Sequence, residues 1–200
     1  MGYDPQSGPS PWGGVPPAPA IARAKGTARA TGLLALVMLG WLLFMMALGA
    51  FGGSAVMSEE PVPLARGVVV TPAPGWSSAV DVWEGDISQT AFKRSGVVVA
   101  FAVDAYEGDA SDLLDEQIAD IETEFSSFRV LPATSMTIDS GLPAEGALFY
   151  GVSGSAELEG ELVAASRGGT GVLMLAFAPT GQLRRAQDDI DTMLEELVVP

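Results

Sequence analysis

The chain has no cysteine and no histidine among its 200 residues. Without cysteine there is no disulfide, no thiol nucleophile, no thiol redox pair and no lipobox to acylate. Without histidine there is no Ser-His-Asp or Cys-His arrangement, and no conventional zinc site. Bases are scarce as well, Lys+Arg 10 against Asp+Glu 25, for a formal net charge of −15. A Ser-Lys dyad beyond the apolar run described below would have to use Lys93, which adjoins Arg94 in an expected exposed turn rather than a desolvated pocket. "RGGTG" at 167–171 lacks the spaced Gly-Lys of a phosphate-binding loop. "GVSGS" at 151–155 has Ser155 where a nucleophile elbow needs glycine, so it reads as a strand end. No catalytic residue, cofactor-binding residue or metal ligand is therefore assigned, and no cofactor is expected.

What the chain does have is one long uncharged run. No charged residue occurs between Arg29 and Glu59. At a rise of about 1.5 Å per residue, Leu33 to Phe51 covers roughly 28 Å, near the hydrocarbon thickness of a bilayer. The run is apolar all round, unlike a core helix with a solvent stripe. A cleaved signal has a short leader and an apolar region of about 7–15 residues; here residues 1–29 precede the run and carry six prolines. The reading is an uncleaved transmembrane helix over 31–56, meeting the membrane through 33–55. Arg23, Lys25 and Arg29 precede it and Glu59 and Glu60 follow it, so the N-terminus is expected to be cytoplasmic and the rest extracytoplasmic.

The flanks differ in kind. Residues 1–30 are Pro/Gly-rich, bury too little apolar surface to offset chain entropy, and are expected to be a disordered cytoplasmic tail. The PxxP spacing at Pro16–Pro19 is common in any such stretch. Residues 57–66, with Pro61 and Pro63, read as a linker, and 67–200 as one domain. From residue 58 on there are seven bases and twenty-four acids, or −17. That balance excludes nucleic acid as a partner and disfavours anionic lipid surfaces.

Within the domain, "RGVVVTPAPGW" is a β-branched run closed by a Pro-Gly turn, and "AVDVWEGD" is a short strand. "ISQTAFKRSGVVVAFAVDAY" reads as a hairpin turning at Lys93–Gly96, with the apolar stretch Val97–Ala105 either covered on both faces or central in its sheet. The period then changes. In "SDLLDEQIADIETEF", Leu114, Ile118, Ile121 and Phe125 share one helical face and six acids occupy the other, which predicts a helix over 112–126 capped by Ser111. Strands are expected at Ser135–Ile138, Gly146–Ser153, Glu157–Ser166 and "VLMLAFA". Thr180 is expected to cap a last helix burying Leu183, Ala186, Ile190, Met193, Leu194 and Leu197. The order predicts an α+β fold, an antiparallel β-sheet with two main packed helices.

These elements resemble the Mog1/PsbP-like α/β/α sandwich found in exported actinobacterial membrane proteins and lipoproteins. The resemblance rests on "PGW" at 74–76, the hairpin before "SDLLDEQIADIETEF", "SGLPAEGALFYGVSG" leading into "ELEGELVAASRGGTGVLMLAFAP", and the final helix. It covers about 66–200 and implies a binding or assembly module rather than an enzyme. It carries over no functional residue, and the missing lipobox Cys is a departure.

Two clusters remain. "DAYEGDASD" gathers Asp104, Glu107, Asp109 and Asp112, but Tyr106 and Gly108 stand where an EF-hand needs oxygen ligands, so a solvated turn is expected. Trp76, Trp83 and Tyr150 are candidates to line a groove, with burial in the core the expected fate. The functional expectation is a noncatalytic membrane-anchored module holding an unidentified protein partner or small ligand. The alternative is a carboxylate-dependent hydrolase of cell-wall sugars, since two acids can meet from anywhere in a fold. Protease added to intact spheroplasts should remove the chain beyond residue 58 and spare the proline-rich tail. Protection of the C-terminal domain would reverse the orientation.

Overall fold

The computed structural model describes residues 56–57, 60–84, 87–138 and 141–200. The expected tail over 1–30, and the expected membrane helix apart from its last residue, lie outside the described residues. Among the described residues no helix is long and apolar enough to cross a membrane.

The strands are β1 (Val56–Met57), β2 (Val62–Pro63), β3 (Val69–Val70), β4 (Ser77–Glu84), β5 (Ile87–Arg94) and β6 (Val97–Ala105). Helix α1 (Ala110–Glu122) follows, then β7 (Ser127–Val130), β8 (Thr134–Ile138), β9 (Leu142–Ser153), β10 (Ala156–Arg167) and β11 (Thr170–Pro179). A 3₁₀ turn at Leu183–Ala186 leads into α2 (Gln187–Glu195). The main sheet runs β1-β4-β5-β6-β11-β10-β9-β7, and β8 also pairs with β9. Every one of these pairings is antiparallel. The α+β reading and the central place of Val97–Ala105 hold.

The hairpin turns follow from their residues. Ser95 (φ 49) and Gly96 (φ 85) join β5 to β6, and Gly168 (φ 57) and Gly169 (φ 78) join β10 to β11. Two successive positive φ values are what a two-residue hairpin of the right twist requires.

Two apolar layers cover the sheet. On one face Leu113, Leu114 and Ile121 of α1 pack with Ala100, Ala102, Leu162, Leu173 and Leu175. On the other, Ile190, Met193 and Leu194 of α2, with Leu183, Ala186 and Leu197, pack with Val99, Phe101, Val103, Val172 and Met174. All six positions expected to face inward around the last helix are buried. Trp76 of the "PGW" turn is fully buried in this second layer. Its indole Nε1 donates to Asp189 Oδ2 at 3.0 Å, and Arg94 Nη1 donates to the same oxygen. The Pro-Gly turn is thereby tied to α2 by a side chain with no unsatisfied donor.

Several expectations are corrected. Helix α1 starts earlier and stops earlier than 112–126. Asp109, not Ser111, is its cap: Asp109 Oδ1 accepts from the Asp112 backbone N–H at 2.9 Å and from Ser111 Oγ at 2.8 Å. The first of those bonds, then the second, holds the Asp109 carboxyl below the usual range. Ile118 and Phe125 are only partly buried, and Leu113 and Gln117 are buried beside the expected face. Thr180 caps nothing. The Leu183 backbone N–H is met instead by Glu159 Oε1 at 2.8 Å, reaching across from β10. Strand β7 is not among the expected strands. The packed domain also begins inside the stretch expected to be linker. Leu64 and Ala65 are buried, the Ala65 N–H donates to Ser88 Oγ at 2.6 Å, and Val56–Met57 pair with β4.

The α1 interface sets a stability test. Leu114 is buried and Glu122 is exposed. Leu114→Asp forces a carboxylate into an apolar contact and should cost more than about 3 kcal/mol, a large part of a small domain's stability. Glu122→Lys should stay within about 0.5 kcal/mol of the parent. Thermal melts of the full chain compare them; similar losses from both would discard this orientation of α1.

Candidate functional site

Strand β9 has two partners on one edge. Strand β8 pairs with its Leu142–Gly146 half and β7 with its Phe149–Val152 half. Between them residues 131–133 belong to neither strand. The last ladder bond before the break is Leu131 N–H to Leu148 O at 2.8 Å. Pro132 then has no N–H to offer the strand edge. A groove of about 450 Å³ opens at this break. Its walls are Leu131, Pro132, Thr134 and Met136 on one side and Gly146, Ala147 and Leu148 of β9 on the other, with Glu161 of β10 and Gln187 of α2 completing it.

Alternation decides which side chains look outward beside it. On β9, Leu142 and Ala144 lie in the α2 layer, so Leu148 and Tyr150 point to that same side. They lie beyond the cover of α2 and are 39% and 42% exposed. Glu161 is the cross-strand partner of Leu148, and Glu159 that of Tyr150. The expectation that Tyr150 belongs to the core is therefore corrected, while Trp76 is core. Trp83 lies outside the residues whose side chains are described.

Glu161 is the one ionisable side chain in the groove wall. Its Oε2 accepts from Gln187 Nε2 at 3.1 Å, and the same amide nitrogen donates to Asp191 Oδ1 at 3.1 Å. Burial pushes the Glu161 carboxyl up, the Gln187 bond opposes that, and the charge of Asp191 adds to it. Among the described residues no arginine or lysine pairs with Glu161; the ion pair present there joins Arg94 to Asp189.

The other sequence candidates separate from this site. Asp104 is buried with Oδ1 accepting from the Ala105 N–H at 2.6 Å, Asp109 caps α1, and Glu107 is exposed. Among the described residues no group of three or more acidic side chains converges as a metal would need. "GVSGS" is the end of β9 and its turn, and "RGGTG" is the β10–β11 hairpin. Lys93 is the last residue but one of β5, half-buried rather than standing in the turn. Sequence reasoning missed Glu161 and the break at Pro132. The available signal was alternation: Glu161 and Glu159 stand two and four residues before Val163, on the face that Val163 and Ala165 bury in the α2 layer.

With that geometry in place, comparison with known proteins gives the fold. No protein-family profile and no curated protein matches the chain. Among solved structures, the cyanobacterial PsbP (CyanoP) of Synechocystis sp. PCC 6803 matches with a TM-score of 0.54 and 13% identity, over 77% of this chain and 99% of that one. The chain has a Mog1/PsbP-like fold. The Ran-binding protein Mog1p of Saccharomyces cerevisiae scores 0.45 at 12% identity, over 68% of this chain and 85% of that one. LpqN of Mycobacterium tuberculosis, involved in cell envelope biogenesis, scores 0.40 at 9% identity, over 74% and 86%. At these identities no functional residue transfers.

The raised Glu161 carboxyl predicts a pH signature. Its folded-state value lies above the unfolded one, so its favourable contribution is complete below the ordinary carboxylate range and is lost as pH rises through the folded value. Glu161→Gln keeps a hydrogen-bond acceptor for Gln187 and removes the charge. It should raise the melting temperature at neutral pH, with the gain vanishing toward acid pH. A loss of stability at neutral pH would mean the ionised carboxylate is wanted by the fold.

Proposed function

We propose that this chain is a single-pass, membrane-anchored binding or assembly module that displays its domain extracytoplasmically and works without catalysis. The observation that carries the reading is the apolar stripe of Leu148 and Tyr150 running into the groove, on a domain whose surface is otherwise strongly acidic. Exposed contiguous apolar surface of this kind is where soluble domains bind partners. The anchor and its N-in/C-out orientation rest on the uncharged run and the charge asymmetry around it. A Mog1/PsbP-like fold is compatible with this role and does not by itself assign it.

The rival reading is a carboxylate-dependent hydrolase. Glu161 and Asp191 are two acids near one groove, and one has a raised pKa. A glycosidase needs its carboxyls on opposite sides of the scissile bond. Here both bond the same Gln187 amide and only Glu161 lines the groove, which favours binding over hydrolysis. A photoreactive residue placed at Leu148 or Tyr150 in intact cells should crosslink a discrete partner. The same residue at Glu122, in the α1 layer, should not. Equal capture from all three positions, or none from the first two, would remove this face as the binding surface.

A further inference from the structure

We propose that the groove at the β7–β8 break receives a lysine or arginine side chain from an extended segment of a partner protein. The proposal deepens the binding reading above and rests on it.

The groove holds an unbalanced charge. Glu161 is half-buried, it accepts from the neutral amide of Gln187, and among the described residues no base pairs with it. A carboxylate taken partly out of water without a counter-charge is costly, and an entering cation removes that cost. The remaining walls suit the stem of such a residue. Leu131, Pro132, Met136 and Leu148 offer apolar surface for the methylenes of Lys or Arg, while the head reaches Glu161. An anionic ligand is excluded by the same charge, since Asp191 shares the Gln187 amide with Glu161 and Glu159 stands two residues away on β10.

A protein segment fits better than a free amine for two reasons. A groove of about 450 Å³ is far larger than an ammonium head needs. It also opens at the margin of the sheet, where β7 and β8 are the last strands among the described residues. An extended chain can lie along such an edge and send alternate side chains inward.

The test uses the full chain in detergent micelles and fluorescence anisotropy of labelled peptides. One peptide carries a single lysine flanked by threonine and valine; the other is identical except for Nε-acetyl-lysine. The lysine peptide should bind about tenfold tighter or more. Glu161→Gln should abolish that preference. Leu148→Ala should weaken both peptides, and Glu122→Gln on the α1 face should change neither. If both peptides bind alike and Glu161→Gln is silent, the cationic assignment is overturned while a groove-binding module stands. If the preference survives Glu161→Gln and Leu148→Ala, the lysine is held elsewhere on the acidic surface, and the proposal is again overturned. Binding of neither peptide overturns occupation by such a segment, whatever crosslinking from Leu148 captures.

Discussion

Strands β6 and β11 have no side that tolerates water. On β6, Val99, Phe101 and Val103 face one way and Ala100 and Ala102 the other, and all are buried. On β11, Val172, Met174 and Ala176 oppose Leu173, Leu175 and Phe177. Each large side chain among them is worth about 1.5–3 kcal/mol when buried. Leaving either face bare would cost more than the net stability of a domain this size. Both faces therefore need a helix, and the chain provides one for each. A helix with its side chains is about 10–12 Å across, while strands lie about 4.8 Å apart. One helix covers two or three strands, and the margins of a sheet this wide are left over. The groove lies in that remainder.

Strand β9 shows how the remainder is used. It changes cover along its length. Leu142 and Ala144 lie in the α2 layer, and Ala147 and Phe149 in the α1 layer. Sheet twist produces this crossing, since a long strand runs diagonally under helices on both faces. Past the crossing each face is exposed. On the α1 side those positions are Pro143 and Glu145, and Glu145 Oε1 accepts from Ser135 Oγ at 2.7 Å. On the α2 side they are Leu148 and Tyr150. One face carries a proline and a hydrogen-bonded carboxylate and the other two large apolar side chains, so exposure alone does not account for the apolar stripe.

The layered fold was legible because its signals are periodic. The apolar face of α2, the continuous run of β6 and the glycine turns each constrain many residues at once. The errors fell where one contact decides. Ser111 is a good cap by type, yet Asp109 sits where its carboxylate meets the Asp112 N–H. Thr180 is a good local cap by type, yet the Leu183 N–H is met by Glu159, 24 positions before it in sequence. Strand β7 is only four residues and borrows its pairing from β9, so no local pattern announces it. Trp76 and Tyr150 look alike as aromatics in a list, and only the reach of α2 separates core from surface. Glu161 was hidden by number, being one acid among twenty-four after residue 57. Its identity as the unpaired acid of an apolar groove is a property of neighbours that come from three other elements.

The groove is kept open by particular residues, which separates it from a packing defect. Pro132 ends one ladder and delays the next, because it has no N–H to place against β9. Gly146 stands opposite Thr134 where the second ladder resumes. A Cβ at Gly146 would come 3.1 Å from Met136 Sδ, inside ordinary contact, and any larger side chain would occupy the space the groove now holds. Met136 is flexible enough to yield to a methyl group, so the fold would accommodate such filling at small cost. Closing the groove was thus within reach of a single ordinary substitution that buries apolar surface. The chain instead keeps a proline, a glycine and a carboxylate without a counter-charge among the described residues around it, and together they leave an acidic groove of about 450 Å³ at the edge of the sheet.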